Sequence, residues 1–286
     1  MRLATIELDD RELPVVLESG AIRPVAAPSV LAALQANPEP RSWKLGDPLE
    51  LDAAPVLRAP LRPRKIVAIG LNYHDHIRET GLDAPAAPLI FAKFTSCVIG
   101  AQEAIILPAM APERVDWEVE LAVVVGRQMR GIARAQALDF VFGYTVANDV
   151  SARDVQFADG QWVRGKSFDT FCPLGPELVT GDELPDPQAL KLSTRVNGEL
   201  VQDSSTAEMI FSVAEILSYC STCFTLDPGD VVLTGTPWGC GGFMEPPRAL
   251  RSGDLLESHV QGIGTMRNPV IDQVSSQQSS QSEERG

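Results

Sequence analysis

Three acidic side chains alternate along one apolar stretch, Asp116, Glu118 and Glu120 in VDWEVELAVVVG, and a fourth, Asp149, follows in GYTVANDVSARD. In an extended strand, side chains two apart share a face. Glu118 and Glu120 are therefore expected on one face, roughly 6–7 Å apart, with Trp117, Val119 and Leu121 on the other. Leu121 to Val125 is apolar on both faces, so the strand is expected to enter the interior. A buried carboxylate without a compensating charge costs several kcal/mol, so either a cation sits there or the acidic face is a solvated sheet edge. The strand alone leaves both readings open.

The rest of the composition narrows the class. The chain has 286 residues, 44% hydrophobic and 22% charged, which is enough to bury a large core. No run approaches 18 uninterrupted apolar residues, and acids interrupt the first residues too early for a secretory segment, so the expected location is the cytoplasm, with no membrane partner. A formal charge of −14 argues against a nucleic-acid partner. It leaves room for a small anionic substrate, because a divalent cation and a few Lys or Arg residues can invert the local field. The five cysteines form no disulfide framework, and the one C-x-x-C, Cys220 and Cys223, lacks a second pair or a nearby His, so it reads as small residues near a helix end.

Along the chain, residues 1–61 read as a small α+β N-terminal domain. It has strands near Leu3–Leu8 and Pro14–Leu17 and a helix in SVLAALQAN. Prolines around RPRK mark a boundary, and KIVAIG then opens a strand-rich domain over 62–270. Asn197-Gly198 predicts a two-residue hairpin, because both positions need positive φ. Residues 271–286 are polar and low in complexity, and a disordered tail is expected there.

Two further constellations carry chemistry. In GLNYHDHIRETG, a short helix capped by Asn72 would place His76 and Glu79 three apart on one face, where a carboxylate can orient an imidazole; a capped surface turn reads equally well. After Asp149 come Arg153, Gln156 and Lys166, donors suited to a carboxylate or β-diketone oxygen although also ordinary surface residues. The loop TGTPWGCGG lacks a nucleotide-binding pattern and is better suited to supplying backbone N–H groups and the Thr236 hydroxyl to an anion. Trp238, Phe243 and Met244 in or beside it shape a distal pocket, or else belong to the core or a dimer contact.

Taken in order, GLNYHDHIRE, LIFAKFTS, DWEVELAVVVG, GYTVANDVSARDVQ, GKSFDTFCPLGP, VNGELVQ, LDPGDVVLTGTPWG and GDLLE…GIGTMRNPV resemble the fumarylacetoacetate hydrolase family over about residues 62–270. The likeness is to its bacterial acylpyruvase-like and 2-hydroxyhepta-2,4-diene-1,7-dioate isomerase-like members. The resemblance implies a mixed, mainly β fold, a β-sandwich roll behind the small N-terminal domain, and a homodimer. It implies that Glu118, Glu120 and Asp149 bind Mg²⁺ or Mn²⁺, with Ca²⁺ also admissible, and that Asp116 is a supporting acid. It assigns water activation to His76 and Glu79, oxyanion stabilisation to Lys166, and substrate contacts to Tyr73, Arg153, Gln156 and Thr236. A further metal-binding Asp of the long eukaryotic hydrolases is replaced here by Leu71 and Asn72.

The expected reaction is metal-dependent hydrolysis of a C–C bond in a 2,4-dioxo acid such as an acylpyruvate. The alternative is decarboxylation of an oxaloacetate-like acid or keto–enol isomerisation in aromatic catabolism. A non-catalytic ligand-binding relative ranks behind both.

Overall fold

The computed structural model describes residues 1–111 and 113–273. The expected tail from 274 onward lies outside the described residues. The architecture is mixed and mainly β, as expected. Its largest sheet has eleven strands and runs Ala21–Pro24, Arg11–Glu18, Arg2–Leu8, Cys172–Thr180, Val141–Asn148, Val119–Val125, Val231–Leu233, Ile66–Gly70 and Leu89–Lys93. Leu57–Arg58 and Val98–Ile99 pair onto it at the side. The strands and helix expected in the first 61 residues are present, and Arg2–Leu8 pairs directly with Cys172–Thr180, so this sheet runs through both parts of the chain.

A five-stranded sheet packs across the middle of the large one, in the order Glu199–Ser205, Lys191–Val196, Leu255–Val260, Gly264–Asp272, Ile105–Leu107. Its first two strands are joined by the Asn197-Gly198 turn, with φ of 53° and 81°. Strand Val119–Val125 shows why its sequence is apolar on both faces: it is paired along both edges and all seven residues are buried. Ala122 and Val124 join one core cluster, and Val119, Leu121, Val123 and Val125 the other. Helix Val213–Cys223 closes the second cluster with Val213, Ile216, Leu217 and Cys220, and a capping box between Ser212 and Glu215 fixes its start. The C-x-x-C lies on this helix, Cys220 buried and Cys223 exposed, consistent with a packing role for Cys220.

One detail of the acidic strand departs from expectation. Trp117 was expected beside Val119 and Leu121, yet it packs in the opposite core cluster. The extended run is broken into Val115–Asp116 and Val119–Val125. At the break, Glu118 N donates to Asn148 Oδ1 at 3.0 Å, and Trp117 Nε1 donates to Gly239 O at 2.9 Å. The period of two therefore resets at 117–118.

Candidate active site

The break places two carboxylates where one regular strand would have placed them less tightly. Glu118 precedes the strand, Glu120 is its second residue, and the neighbouring strand ends at Asn148 with Asp149 directly after it. Glu120 lies opposite Ala147, and Asp149 N donates to Glu118 O at 2.8 Å, which aligns the two strand ends. Glu118, Glu120 and Asp149 are all buried and each offers an oxygen within 4.8 Å of the others.

Cations enter from three directions. Lys166, at the end of helix Trp162–Lys166, donates to Glu118 Oε2 at 2.8 Å, Asp149 Oδ2 at 2.7 Å and Ser151 Oγ at 2.9 Å. Lys93, at the end of strand Leu89–Lys93, donates to Asp149 Oδ1 at 2.5 Å and to the Lys166 carbonyl. Arg153, at the start of helix Arg153–Asp159, donates to Asp116 Oδ1 at 2.8 Å and Gln156 Oε1 at 2.9 Å. Its Nη2 sits 2.6 Å from Glu118 Oε1 without a well-directed hydrogen bond. That leaves one buried guanidinium nitrogen able to turn to a bound anion.

Electrostatics separate the acids. Burial alone would raise the Glu118 carboxyl, but Lys166 and Arg153 outweigh it and hold it down at about 2. Burial, reinforced by Asp149 and then Glu118, pushes Glu120 well above the usual carboxylate range. Its one described hydrogen bond is from Gly235 N, at 2.5 Å. Burial also raises Asp116, to about 6, against the pull of Arg153. Burial would lower the Lys166 ammonium, yet Asp149 and Glu118 keep it raised and charged.

Three hard oxygen donors, one of them pushed towards its protonated form by burial and by the other two acids, make a donor set suited to Mg²⁺ or Mn²⁺. Ca²⁺ draws on the same oxygen chemistry.

Helix His74–Thr80 lies close enough to this cluster for His76 to lower the Glu118 carboxyl. His76 Nδ1 lies 2.9 Å from Glu79 Oε2, and Gly239 N donates to Glu79 Oε1 at 2.8 Å. The dyad expected from the sequence is thus formed and anchored, with Nε2 left for a substrate. Asn72 does not cap this helix. Tyr73 holds the N-cap position without a side-chain cap bond, and Asn72 is buried, accepting from Phe211 N and donating to Thr234 O. Its amide ties the helix entrance to two other segments, so it is unavailable to the helix itself.

The remaining expected residues are placed as follows. Tyr73 is fully buried in the core, its hydroxyl without a well-formed hydrogen bond although Thr234 lies beside it; burial, then Glu120, raises that phenol well above its ordinary value. Thr236 is buried and its hydroxyl accepts from Gln202 Nε2 at 3.0 Å. The Phe243 ring sits between His76, at 5.4 Å edge-on, and the Arg153 guanidinium, at 5.1 Å. Trp238 is partly exposed and donates to Asp203 O, while Met244 packs against the core.

Sequence reasoning left three participants unassigned: Lys93, Gln202 and Asp75. Lys93 was visible only as a lone cation ending an apolar strand. Gln202 is fully buried; its Oε1 accepts from Val119 N and Thr194 Oγ1, and its Nε2 donates to the Thr236 hydroxyl and Pro237 O. Asp75 accepts from Ser204 Oγ at 2.5 Å and so fastens the helix to the five-stranded sheet. A single polar residue in a hairpin strand or on a short helix carries no periodic signal.

Comparison with known proteins agrees with this architecture. Residues 65–271 match the family model described as "Fumarylacetoacetate (FAA) hydrolase C-terminal". A mitochondrial oxaloacetate tautomerase of Rattus norvegicus is 48% identical over 211 residues, covering 73% of this chain and 67% of that protein. Among solved structures, a fumarylacetoacetate hydrolase from the psychrophilic Exiguobacterium antarcticum superposes with a TM-score of 0.86 at 36% identity, covering 96% of this chain and 100% of that one. A 2-hydroxyhepta-2,4-diene-1,7-dioate isomerase from Mycobacterium marinum gives 0.79 at 38% identity, with the same coverages. The buried triad of acids and the anchored dyad therefore sit in a chain that belongs to the fumarylacetoacetate hydrolase family.

Proposed function

We propose that this protein is an enzyme that moves a proton on a small 2-oxo dicarboxylate of the oxaloacetate type, interconverting its keto and enol forms. The observation that carries the reading is His76, held by Glu79 with no described hydrogen bond at Nε2, close enough to the three buried carboxylates to lower Glu118. From the sequence, C–C hydrolysis ranked first. The 48% identity to an oxaloacetate tautomerase across the region that bears the site supports putting enolisation ahead of it.

In this scheme Arg153 and Gln156 bind a substrate carboxylate, Arg153 through its undirected Nη2. His76 Nε2 takes the proton from C3, and Glu79 stabilises the imidazolium so formed. The Lys166 ammonium faces the oxygen at which negative charge gathers and later supplies or orients the proton delivered there. Glu118, Glu120 and Asp149 would hold Mg²⁺ or Mn²⁺, which supplies Lewis-acid polarisation of the 2-oxo group. Phe243 and the loop 234–242 keep bulk water from the reacting carbon.

The dyad also favours a second reading, hydrolysis of an acylpyruvate, in which His76 deprotonates a water instead of a carbon. Enol oxaloacetate and a small acylpyruvate separate the two. With Mg²⁺, the tautomerase reading expects the enol absorbance to decay faster than in buffer, with no pyruvate or carbon dioxide released and with His76→Ala losing the acceleration. Acetate and pyruvate from the acylpyruvate would replace it with hydrolysis, and carbon dioxide from oxaloacetate would replace it with decarboxylation. Two copies per functional unit belong to the proposal and are checked by light scattering.

A further inference from the structure

Helix His74–Thr80 and the glycine loop hold a second group of ligating atoms that differs in kind from the acid cluster. His76, Glu79 and Cys240 each offer an atom within 4.8 Å of the others. Two come from helix His74–Thr80 and the third from the glycine loop. Nitrogen, oxygen and sulfur together disfavour Mg²⁺ and suit Zn²⁺ or a similar borderline ion.

The loop is built to keep the sulfur there. Gly239 has φ of 94°, and a Cβ on it would meet Val201 O at 2.0 Å, so only glycine lets the chain pass at that point. Gly241, on the other side, would bring a Cβ to 2.3 Å from Arg248 O. Between them Cys240 is fully buried, and its sulfur makes only long contacts, 3.7 Å to Pro237 O and 3.9 Å to Gln202 Nε2. Among the described residues no strong hydrogen bond competes with a metal for it.

We propose that His76, Glu79 and Cys240 form an inhibitory cation site of zinc type, separate from the three-carboxylate site. Tetrahedral zinc with bonds of roughly 2.0–2.3 Å wants donors about 3.3–3.6 Å apart. The 2.9 Å His76–Glu79 pair would open by a few tenths of an ångström, and the sulfur would close in. The proton balance is simple. Zinc takes Nδ1, whose proton passes to Nε2 through solvent, and the thiol releases one proton to solvent. No electron moves. One dication with one carboxylate and one thiolate is neutral, which limits the cost of burying it. A fourth position remains for water.

The inhibitory consequence rests on His76 being the base of the proposed reaction. With Nε2 protonated the imidazole can no longer accept a proton from substrate, and the three ligands pin the helix to the loop.

Cobalt reports the site without any turnover. Protein saturated with Mg²⁺ is titrated with Co²⁺, and the expected result is a thiolate-to-cobalt charge-transfer band in the near ultraviolet at one equivalent. The band should be absent in Cys240→Val and Cys240→Ser. Zn²⁺ should inhibit the Mg²⁺-loaded wild type, and the half-inhibiting concentration should rise at least ~10-fold in either variant, in line with the loss of one ligand. Excess Mg²⁺ should not relieve the inhibition. No band in the wild type overturns the site, as does a band that persists in both variants, which would belong to exposed Cys223. Relief by Mg²⁺ would locate the inhibition at the carboxylates and overturn the separate site. A cobalt band with no catalytic effect of His76→Ala would retain the site and discard the reaction scheme, so the two failures can be told apart.

Discussion

Two groups of ion pairs in this molecule have the same contact distances and opposite physical meanings. Around the acid cluster, Lys93–Asp149, Lys166–Glu118 and Arg153–Asp116 pair at 2.5–2.8 Å with no side chain more than 8% exposed. Near the N-terminal strands, Arg41–Asp182, Arg127–Glu39 and Arg62–Glu12 pair at 2.5–3.0 Å with every side chain at least 46% exposed. Solvent screens the second group, and such pairs contribute about 0–1 kcal/mol. In the first, the cost of desolvation is already incurred, and removing one partner leaves a charge with nowhere to go. The chain is strongly acidic overall, yet the site is close to balance: Asp116, Glu118, Glu120 and Asp149 face Lys93, Arg153 and Lys166. The protein's negative charge therefore says little about the field a substrate meets.

Lys93→Met should show the largest effect, because it takes one of two ammonium groups from fully buried Asp149. We expect unfolding free energy in urea to fall by about 3–5 kcal/mol without divalent metal, and a loss below 1 kcal/mol would erase the distinction between the two groups.

Glu118→Ala should abolish turnover and weaken Mn²⁺ binding, measured by calorimetry, by at least ~100-fold; full activity in chelator would remove the metal role. Glu120→Gln sharpens the contrast within the buried group. It should weaken the metal similarly, yet leave metal-free stability unchanged or higher, because Glu120, raised by burial, Asp149 and Glu118, forms no described ion pair that the change would break. A stability loss like that of Lys93→Met would mean Glu120 is ionised and paired.

Arg41→Ala should shift the melting temperature far less than Lys93→Met does, because solvent screens this exposed pair. The smallest effect concerns pH. The Thr180 hydroxyl, and then Arg41, lower Asp182 to about 2. Its folded value lies below its unfolded value of roughly 3.9, so its contribution is present above that pH and lost as pH falls towards 2. Wild type and Asp182→Asn should differ slightly in melting temperature at pH 5 and converge near pH 2; divergence on acidification would reverse the sign.

The buried group was also the more legible in sequence. Glu118, Glu120 and Asp149 stood out because acids are out of place in strands that are otherwise apolar, and Asn197-Gly198 announced a turn that few other pairs can make. Family resemblance supplied the roles of Arg153, Gln156 and Lys166, which residue type alone left as surface candidates. Lys93 and Gln202 were missed because each acts through tertiary neighbours more than 50 or 80 residues away in sequence, Asp149 and Val119 respectively. The face of Trp117 was misjudged because a two-residue break in the strand leaves no trace in the hydrophobic pattern. Asn72 was misjudged because an amide that can cap a helix can equally clamp two backbones.

Strands Ile66–Gly70 and Val231–Leu233 run parallel and side by side, so the segments that follow them leave the sheet at the same edge. One leads into helix His74–Thr80 and the other into loop 234–242. The helix is fastened by bonds from Gly239 N to Glu79, from Ser204 and Trp238 N to Asp75, and from Arg78 to Glu208, none of which belongs to the strand ladder. With Tyr73 and His76 buried as well, moving the helix would cost that burial together with these bonds, each a net of about 1 kcal/mol, and would leave the ladder paired. The His76–Glu79 pair is thus held by side-chain bonds that can be altered one at a time without disturbing the sheet.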